Sequence, residues 1–338
     1  MAGIKKKTTE YDYIAELSAS TKYKEDQFYY CGSAFASACG LPGPILGGIN
    51  MLLGHSNSGK TNALILAAVD AQKRGDLVIL IITEKKWSWK HAVNLGFQAE
   101  QSEDGEWRGD FIYRDNFKTI EDITDFINLV ADKQEEGKIP RNIAIFWDSV
   151  GSIPCRMTYE GKGGKMHNAS ALSDKIGSGL HSRISDTRKA DSPYYLTLVV
   201  VNQPWVEMPD NPFGQPEIKA KGGNAFWLAS SLVFLFGNQK KAGVQHIDAT
   251  RNGRKLVYAT KTRISVLKNH VNGISYKDGK IIAVHNGFIN DNKTSIDQYK
   301  KDYASYWDTL LGDTGELILS GVDKELDPYD GDEFGYDD

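Results

Sequence analysis

Five short runs of consecutive apolar residues mark the first two-thirds of the chain: INMLL (49–53), LVILIIT (77–83), NIAIFWD (142–148), YYLTLVVVNQ (194–203) and SSLVFLFG (230–237). They are unbroken rather than alternating, too short for helices, rich in β-branched residues, and separated by amphipathic stretches. Strands buried on both faces and joined by crossover helices read this way. Two further runs follow, KLVYATKTRISVLKN (255–269) and ISYKDGKIIAVHNG (274–287), with Asp278 and Gly279 as a hairpin turn, so the sheet is expected to finish antiparallel. No repeat or low-complexity linker divides residues 31–290, which are taken as one α/β domain.

The first run leads into GHSNSGKTNALILAAVDAQKRG (54–75), which fits G-x-x-x-x-G-K-[ST] through Gly54, Gly59, Lys60 and Thr61. Glycines let a turn aim several backbone N–H groups at one anion, and the helix that follows turns its positive end the same way. Gly54, Ser56, Ser58, Gly59, Lys60, Thr61 and Asn62 form the expected phosphate-binding set. Lys60 reaches the β- and γ-phosphates of ATP, and the Thr61 hydroxyl faces Mg²⁺. Ala63, Leu64, Ala67 and Ala68 continue the helix, and Gly75 stops it.

Asp148 ends the third run, where a Walker B carboxylate would hold Mg²⁺ together with Thr61. Glu84 follows the second run, at the carboxyl edge where α/β folds gather their ligands. It is placed to orient or deprotonate an attacking water.

Composition is that of an ordinary globular protein, with 41% hydrophobic and 25% charged residues in a chain of 338. No apolar run is long enough to span a membrane, and the lysines near the start have no apolar signal region behind them, so a cytoplasmic protein without membrane partners is expected. Cys31, Cys39 and Cys155 have no metal-binding spacing and read as reduced and structural. The net charge of −4 is unevenly spread. The last sixteen residues, DKELDPYDGDEFGYDD, hold eight acids and one lysine, leaving a body with 39 basic and 36 acidic residues. Residues 323–338 read as a disordered acidic tail, of a kind that competes with nucleic acid for a basic surface.

The order GHSNSGKT, then TE with NLG beginning ten residues after Glu84, then WDSVG, VVVNQP and KGGNAFWLASSLVFLF resembles the RecA family of DNA recombinases and, within it, the phage UvsX-type branch. The resemblance covers about residues 31–290. It implies a RecA-like P-loop ATPase core with a mostly parallel central sheet flanked by helices and an antiparallel extension at one edge. Residues 1–30 then become a segment packing on a neighbouring subunit, and 291–322 a small helical region. Glu84 takes the role of the catalytic glutamate and Asp148 that of Walker B, while Gln203 senses the γ-phosphate. Lys268 and His270, in LKNH, match the family's trans-acting pair, with histidine in place of the second lysine. At the position of the family's adenine-stacking tyrosine stands His91, with Trp87 and Trp89 as alternatives.

The resemblance also makes CRMTYEGKGGKMHNAS (155–170) and PWVEMPDNPFGQPEIKAK (204–221) the two DNA-binding loops. The first offers Arg156, Lys162 and Lys165; the second offers Trp205, Phe213, Lys219 and Lys221, followed by Gly222 and Gly223. Lys175 and Arg183 lie between the loops as further candidates for phosphate contact. Long irregular excursions that carry cations among aromatic residues suit a single strand, charge tracking the backbone and rings stacking on bases. The expected protein is a DNA-dependent ATPase that polymerises as a helical filament on single-stranded DNA and pairs it with double-stranded DNA. A single-strand-binding protein or a loader would be its accessory partner. Two alternatives stand beside this reading: a hexameric replicative helicase motor, and a non-catalytic ATP-binding mediator.

Overall fold

The computed structural model describes residues 22–207, 217–237, 244–251, 254–276 and 279–303. Helix α1 (Ser33–Cys39) precedes β1 (Ile49–Gly54), α2 (Lys60–Lys73), β2 (Leu77–Ile82) and α3 (Trp89–Asn94). Next come β3 (Glu100–Gln101), β4 (Trp107–Arg108), β5 (Phe111–Arg114), α4 (Ile120–Glu135) and β6 (Ile143–Asp148). Helices α5 (Arg156–Tyr159) and α6 (Lys165–Leu172), a π-helical stretch (Ser173–Leu180) and α7 (His181–Asp186) lead to β7 (Leu196–Asn202). Strands β8 (Pro204–Glu207) and β9 (Glu217–Ala220), helix α8 (Gly223–Ala229), β10 (Ser230–Phe236), β11 (Val244–Arg251), β12 (Arg254–Asn269), β13 (Gly279–Val284), β14 (Gly287–Asn290) and α9 (Lys293–Asp302) complete the order.

One sheet organises the chain, in the order β14-β13-β12-β10-β1-β7-β6-β2-β5, with β11 also paired to β12. The strands from β10 to β5 are parallel, and β11 to β14 add antiparallel. The sheet is therefore mostly parallel, with an antiparallel extension at one edge, as the sequence implied. Successive strand residues feed opposite cores. Met51, Leu53, Ile79, Ile81, Ile145 and Trp147 pack with α4, the π-helical stretch and α8, whereas Leu52, Leu80 and Phe146 pack with α1 and α2. Both faces are covered, which is why these strands carry no polar alternation. The three cysteines stand free and buried. No helix among the described residues is long and apolar enough to cross a membrane.

Three local expectations differ from the structure. Residues 274–276 form no strand, and the tight connection in this region lies at His285 and Asn286, between β13 and β14; Asp278 lies outside the described residues. The first predicted loop is largely helical. It holds α5 and the start of α6, and the helical run continues beyond it to Asp186, where Leu172, Ile176, Leu180 and Ile184 recur every fourth residue, all buried, and pack on the second core. The second predicted loop contains an antiparallel strand pair, β8 with β9, in which Trp205 stands opposite Lys219. Helix α9 falls in the predicted C-terminal helical region and places Ile296 and Tyr299 against Ile282 and Val284 of β13. Phe213, the acidic tail and residues 1–21 lie outside the described residues.

Candidate functional site

Strand β1 ends at Gly54, where a Cβ would stand 2.4 Å from the Phe236 carbonyl oxygen of β10; strand packing alone excludes a side chain there. The chain then turns through Ser56, exposed at the tip, and Asn57. At Gly59, the N-cap of α2, φ is 92°, a left-handed value that favours glycine. The Ser58 hydroxyl donates to the His55 carbonyl at 2.8 Å. Lys60 folds back over the loop, its Nζ donating to the same carbonyl at 2.5 Å and lying 3.4 Å from Ser58 Oγ. Burial pushes the Lys60 ammonium down to about 8, against the pull of Asp148 and Glu84. A buried cation held mainly by one carbonyl suits an arriving polyphosphate.

Thr61 Oγ1 donates to Asp148 Oδ2 at 3.0 Å. Burial raises the Asp148 carboxyl to about 6, opposed by the Thr61 hydrogen bond and helped by nearby Glu84. A hydroxyl beside a half-buried carboxylate is a hard-oxygen donor pair of the kind Mg²⁺ uses with phosphates, so these residues fit the ion. The pH dependence has a definite sign. Between 3.8 and about 6 the folded state holds the Asp148 proton more tightly than the unfolded chain, so this group's contribution to stability grows as pH falls through that window. Metal binding needs the ionised form and runs the other way. The magnesium concentration for half-maximal nucleotide binding should rise up to about tenfold per pH unit below 6. An unchanged requirement between pH 7 and 5 would contradict this.

Pairing of β2 with β6 sets Ile82 opposite Asp148, bringing Glu84 to the same edge. Glu84 Oε1 accepts from Ser149 Oγ at 2.5 Å. Thr83 Oγ1 donates to the Ser149 carbonyl at 2.8 Å and accepts from Trp147 Nε1 at 3.1 Å, while Ser152 Oγ donates to that carbonyl at 2.7 Å. The Ser149 hydroxyl holds the glutamate, and those of Thr83 and Ser152 hold the Ser149 backbone; motif reading missed all three, and the sequence signal for the two serines is their pairing in DSVGS.

His91 and Asn62 are joined by a 2.9 Å hydrogen bond between Nε2 and Oδ1, and burial lowers the imidazole pKa. Asn62 Nδ2 reaches the carbonyls of Val284 (3.1 Å) and Gly287 (3.3 Å), tying the first turn of α2 to the β13–β14 hairpin. From that hairpin His285 Nδ1 bonds Tyr299 Oη at 2.7 Å, and Asn286 donates to Tyr303 Oη, on and just beyond α9. A cleft of about 700 Å³ opens here between residues 57–62, His91, His246, Tyr258 and His285. Trp89 is engaged elsewhere, stacked on Trp107 at 5.6 Å and 15° and edge-on to Trp87 at 5.8 Å. Of the three aromatic candidates for the base, His91 alone lines the cleft.

Leu53 pairs with Asn202, so Gln203 follows β7 at the same level at which Gly54 ends β1. Its Oε1 accepts from Lys221 Nζ at 3.1 Å. The remaining cations are more dispersed. Arg156 lies 3.5 Å from Asp122, Lys162 2.8 Å from Glu160 and Lys175 3.6 Å from Asp174, all largely exposed. Lys165 opens α6, and Gly222 and Gly223 begin α8 with φ of 111° and 75°.

Arg183 is committed to α4, with Nη2 2.5 Å from Asp132, Nε 2.9 Å from Glu135 and Nη1 3.2 Å from Asn128 Oδ1. Arg183→Ala should leave single-strand affinity within about twofold while lowering stability by about 1 kcal/mol, read by oligonucleotide titration and thermal melting. A large loss of DNA affinity at unchanged stability would reverse this assignment. Lys268 Nζ caps the end of α8 by donating to the carbonyls of Trp227 (2.8 Å) and Leu228 (2.7 Å), and burial lowers it to about 8. His270 is exposed, with its backbone N–H on the Ser231 carbonyl. Within this chain Lys268 therefore supports the helix that follows the second predicted loop.

No family model matches the chain. It is similar to Protein RecA of Wolbachia sp. subsp. Brugia malayi (strain TRS), with 24% identity over 324 residues, covering 90% of this chain and 79% of that protein. With a mostly parallel sheet gathering Lys60, Thr61, Glu84 and Asp148 at one edge, this similarity supports a distant relationship to the RecA family.

Proposed function

We propose that the chain is an ATP-dependent recombination protein that forms filaments on single-stranded DNA and promotes pairing and strand exchange with duplex DNA, hydrolysing ATP when DNA is bound. The observation that carries this reading is the meeting, at one sheet edge, of Lys60, Thr61 and Asp148 with Glu84 and with Gln203, the residue that leads into the second loop. Placement in the phage UvsX-type branch, a cytoplasmic location and an accessory single-strand-binding protein or loader rest on the sequence resemblance.

In this reading Lys60 leaves the His55 carbonyl to neutralise the β- and γ-phosphates of ATP, while Thr61 and Asp148 hold Mg²⁺. When bound there, the ion would supply charge neutralisation to the phosphates. Glu84, held by Ser149, orients the attacking water and draws its proton. His91 and the cleft behind it receive the base. Gln203 turns toward the terminal phosphate and draws the second loop with it, as a two-state switch biased by one phosphate. Lys268 and His270 complete a neighbouring protomer's site in the assembled filament, a role for which Lys268 leaves the carbonyls it caps.

The test is ATP hydrolysis by the full chain with and without single-stranded DNA, imaged in parallel by electron microscopy. DNA-stimulated turnover with helical filaments is expected. Closed rings would favour the helicase-type motor. A monomer whose turnover ignores DNA would overturn the proposal.

A further inference from the structure

Lys221 sits where three parts of the site converge. Its carbonyl accepts from the buried Asn202 Nδ2 at 2.7 Å, and Asn202 Oδ1 accepts from the Gln203 backbone N–H at 2.8 Å, so the end of the second loop is fastened to the end of β7. Its side chain then runs across Gly151 to Gln203. A Cβ on Gly151 would stand 2.9 Å from Lys221 Cδ and 3.1 Å from Nζ, so the missing side chain makes room for the lysine. Gly151 lies two residues beyond Ser149, the hydroxyl that holds Glu84.

We propose that Lys221 is a latch: its ammonium holds Gln203 by the amide oxygen while no terminal phosphate is present, and is handed to a DNA phosphate once Gln203 turns away. The proposal rests on the role given above to Gln203 and the second loop. While Oε1 is pinned, Gln203 cannot swing its amide N–H groups freely toward an anion. Once released, the ammonium lacks its acceptor at the mouth of a loop read as DNA-binding. Gln203 and DNA thus compete for one cation, and ATP removes one competitor. Linkage makes the effect reciprocal, so single-stranded DNA should tighten nucleotide binding by the same factor.

Two variants separate the latch from a plain DNA contact. Gly151→Ala adds a methyl group that pushes the flexible end of Lys221 off Gln203 but keeps its charge; Lys221→Gln removes the charge. The affinity of the full chain for a fluorescent oligothymidylate is measured without nucleotide and with a non-hydrolysable ATP analogue. Gly151→Ala should raise nucleotide-free affinity about three- to tenfold and shrink the response to the analogue by the same factor, because a restrained population is freed. Lys221→Gln should weaken binding only with the analogue, with a salt slope shallower by about one. A Gly151→Ala protein with the wild-type response, or a Lys221→Gln protein weakened equally in both states, overturns the latch alone. Wild-type protein whose DNA affinity ignores the analogue overturns the functional reading, and the latch with it.

Discussion

Lys60→Ala is expected to abolish ATP hydrolysis, lowering the rate by at least about 10²–10³-fold, and to remove nucleotide-dependent assembly on DNA. The magnitude is that of deleting one preorganised charge or donor aimed at a developing negative charge in a water-poor site. Lys60 meets both conditions: it is 7% exposed, and its nucleotide-free partner is a backbone carbonyl of its own loop. Alanine leaves α2 intact, since the helix begins at the Gly59 cap and is anchored by Ala63, Leu64 and Ala67, so loss of folding is not the expected outcome. Burying the ammonium also costs stability in the nucleotide-free protein. Its folded pKa is lowered to about 8 from 10.5, so the unfolded chain binds the proton more tightly and the cost is fully present below about 8. Lys60→Ala should therefore melt at or above the wild-type temperature while losing function. A marked drop in melting temperature, or wild-type turnover, would refute this account of the lysine.

Glu84→Gln is expected to separate binding from chemistry. Turnover should fall by about 10²–10⁴-fold, the usual contribution of a positioned base, while ATP affinity and nucleotide-dependent DNA binding persist. The basis is geometric. Glu84 belongs to the hydroxyl network of Thr83, Ser149 and Ser152, whereas the phosphate cradle is built from Lys60, Thr61 and Asp148. Glutamine keeps the shape and can still meet Ser149 Oγ, but it cannot take a proton. Filaments in ATP should accordingly persist longer than those of the wild type. Undiminished single-turnover hydrolysis by this variant would remove Glu84 from the chemistry.

The sheet was legible because strands buried on both faces leave unbroken apolar runs, and five of these predicted β1, β2, β6, β7 and β10 within about two residues. The phosphate loop was legible because its spacing is dictated by the anion. Edge strand β5 escaped because Phe111–Arg114 is only half-buried and mixes polar with apolar positions. The helical character of 165–186 was present in the four-residue spacing of Leu172, Ile176, Leu180 and Ile184, but the surrounding glycines and lysines masked it. Charge alone could not distinguish Arg183, bound to two carboxylates of α4, from exposed Lys175. Contacts such as Lys221 with Gln203 join residues eighteen positions apart, and local pattern carries no record of them.

The bond from Asn62 to the hairpin has a mechanical consequence. The residue beside Thr61 grips β13–β14, whose tip grips Tyr299 and Tyr303, so the cradle and the chain's last described helix form one linkage. A displacement of the first turn of α2 is thereby passed through the hairpin to Tyr299 and Tyr303, and a shift of α9 reaches back to the residue beside Thr61.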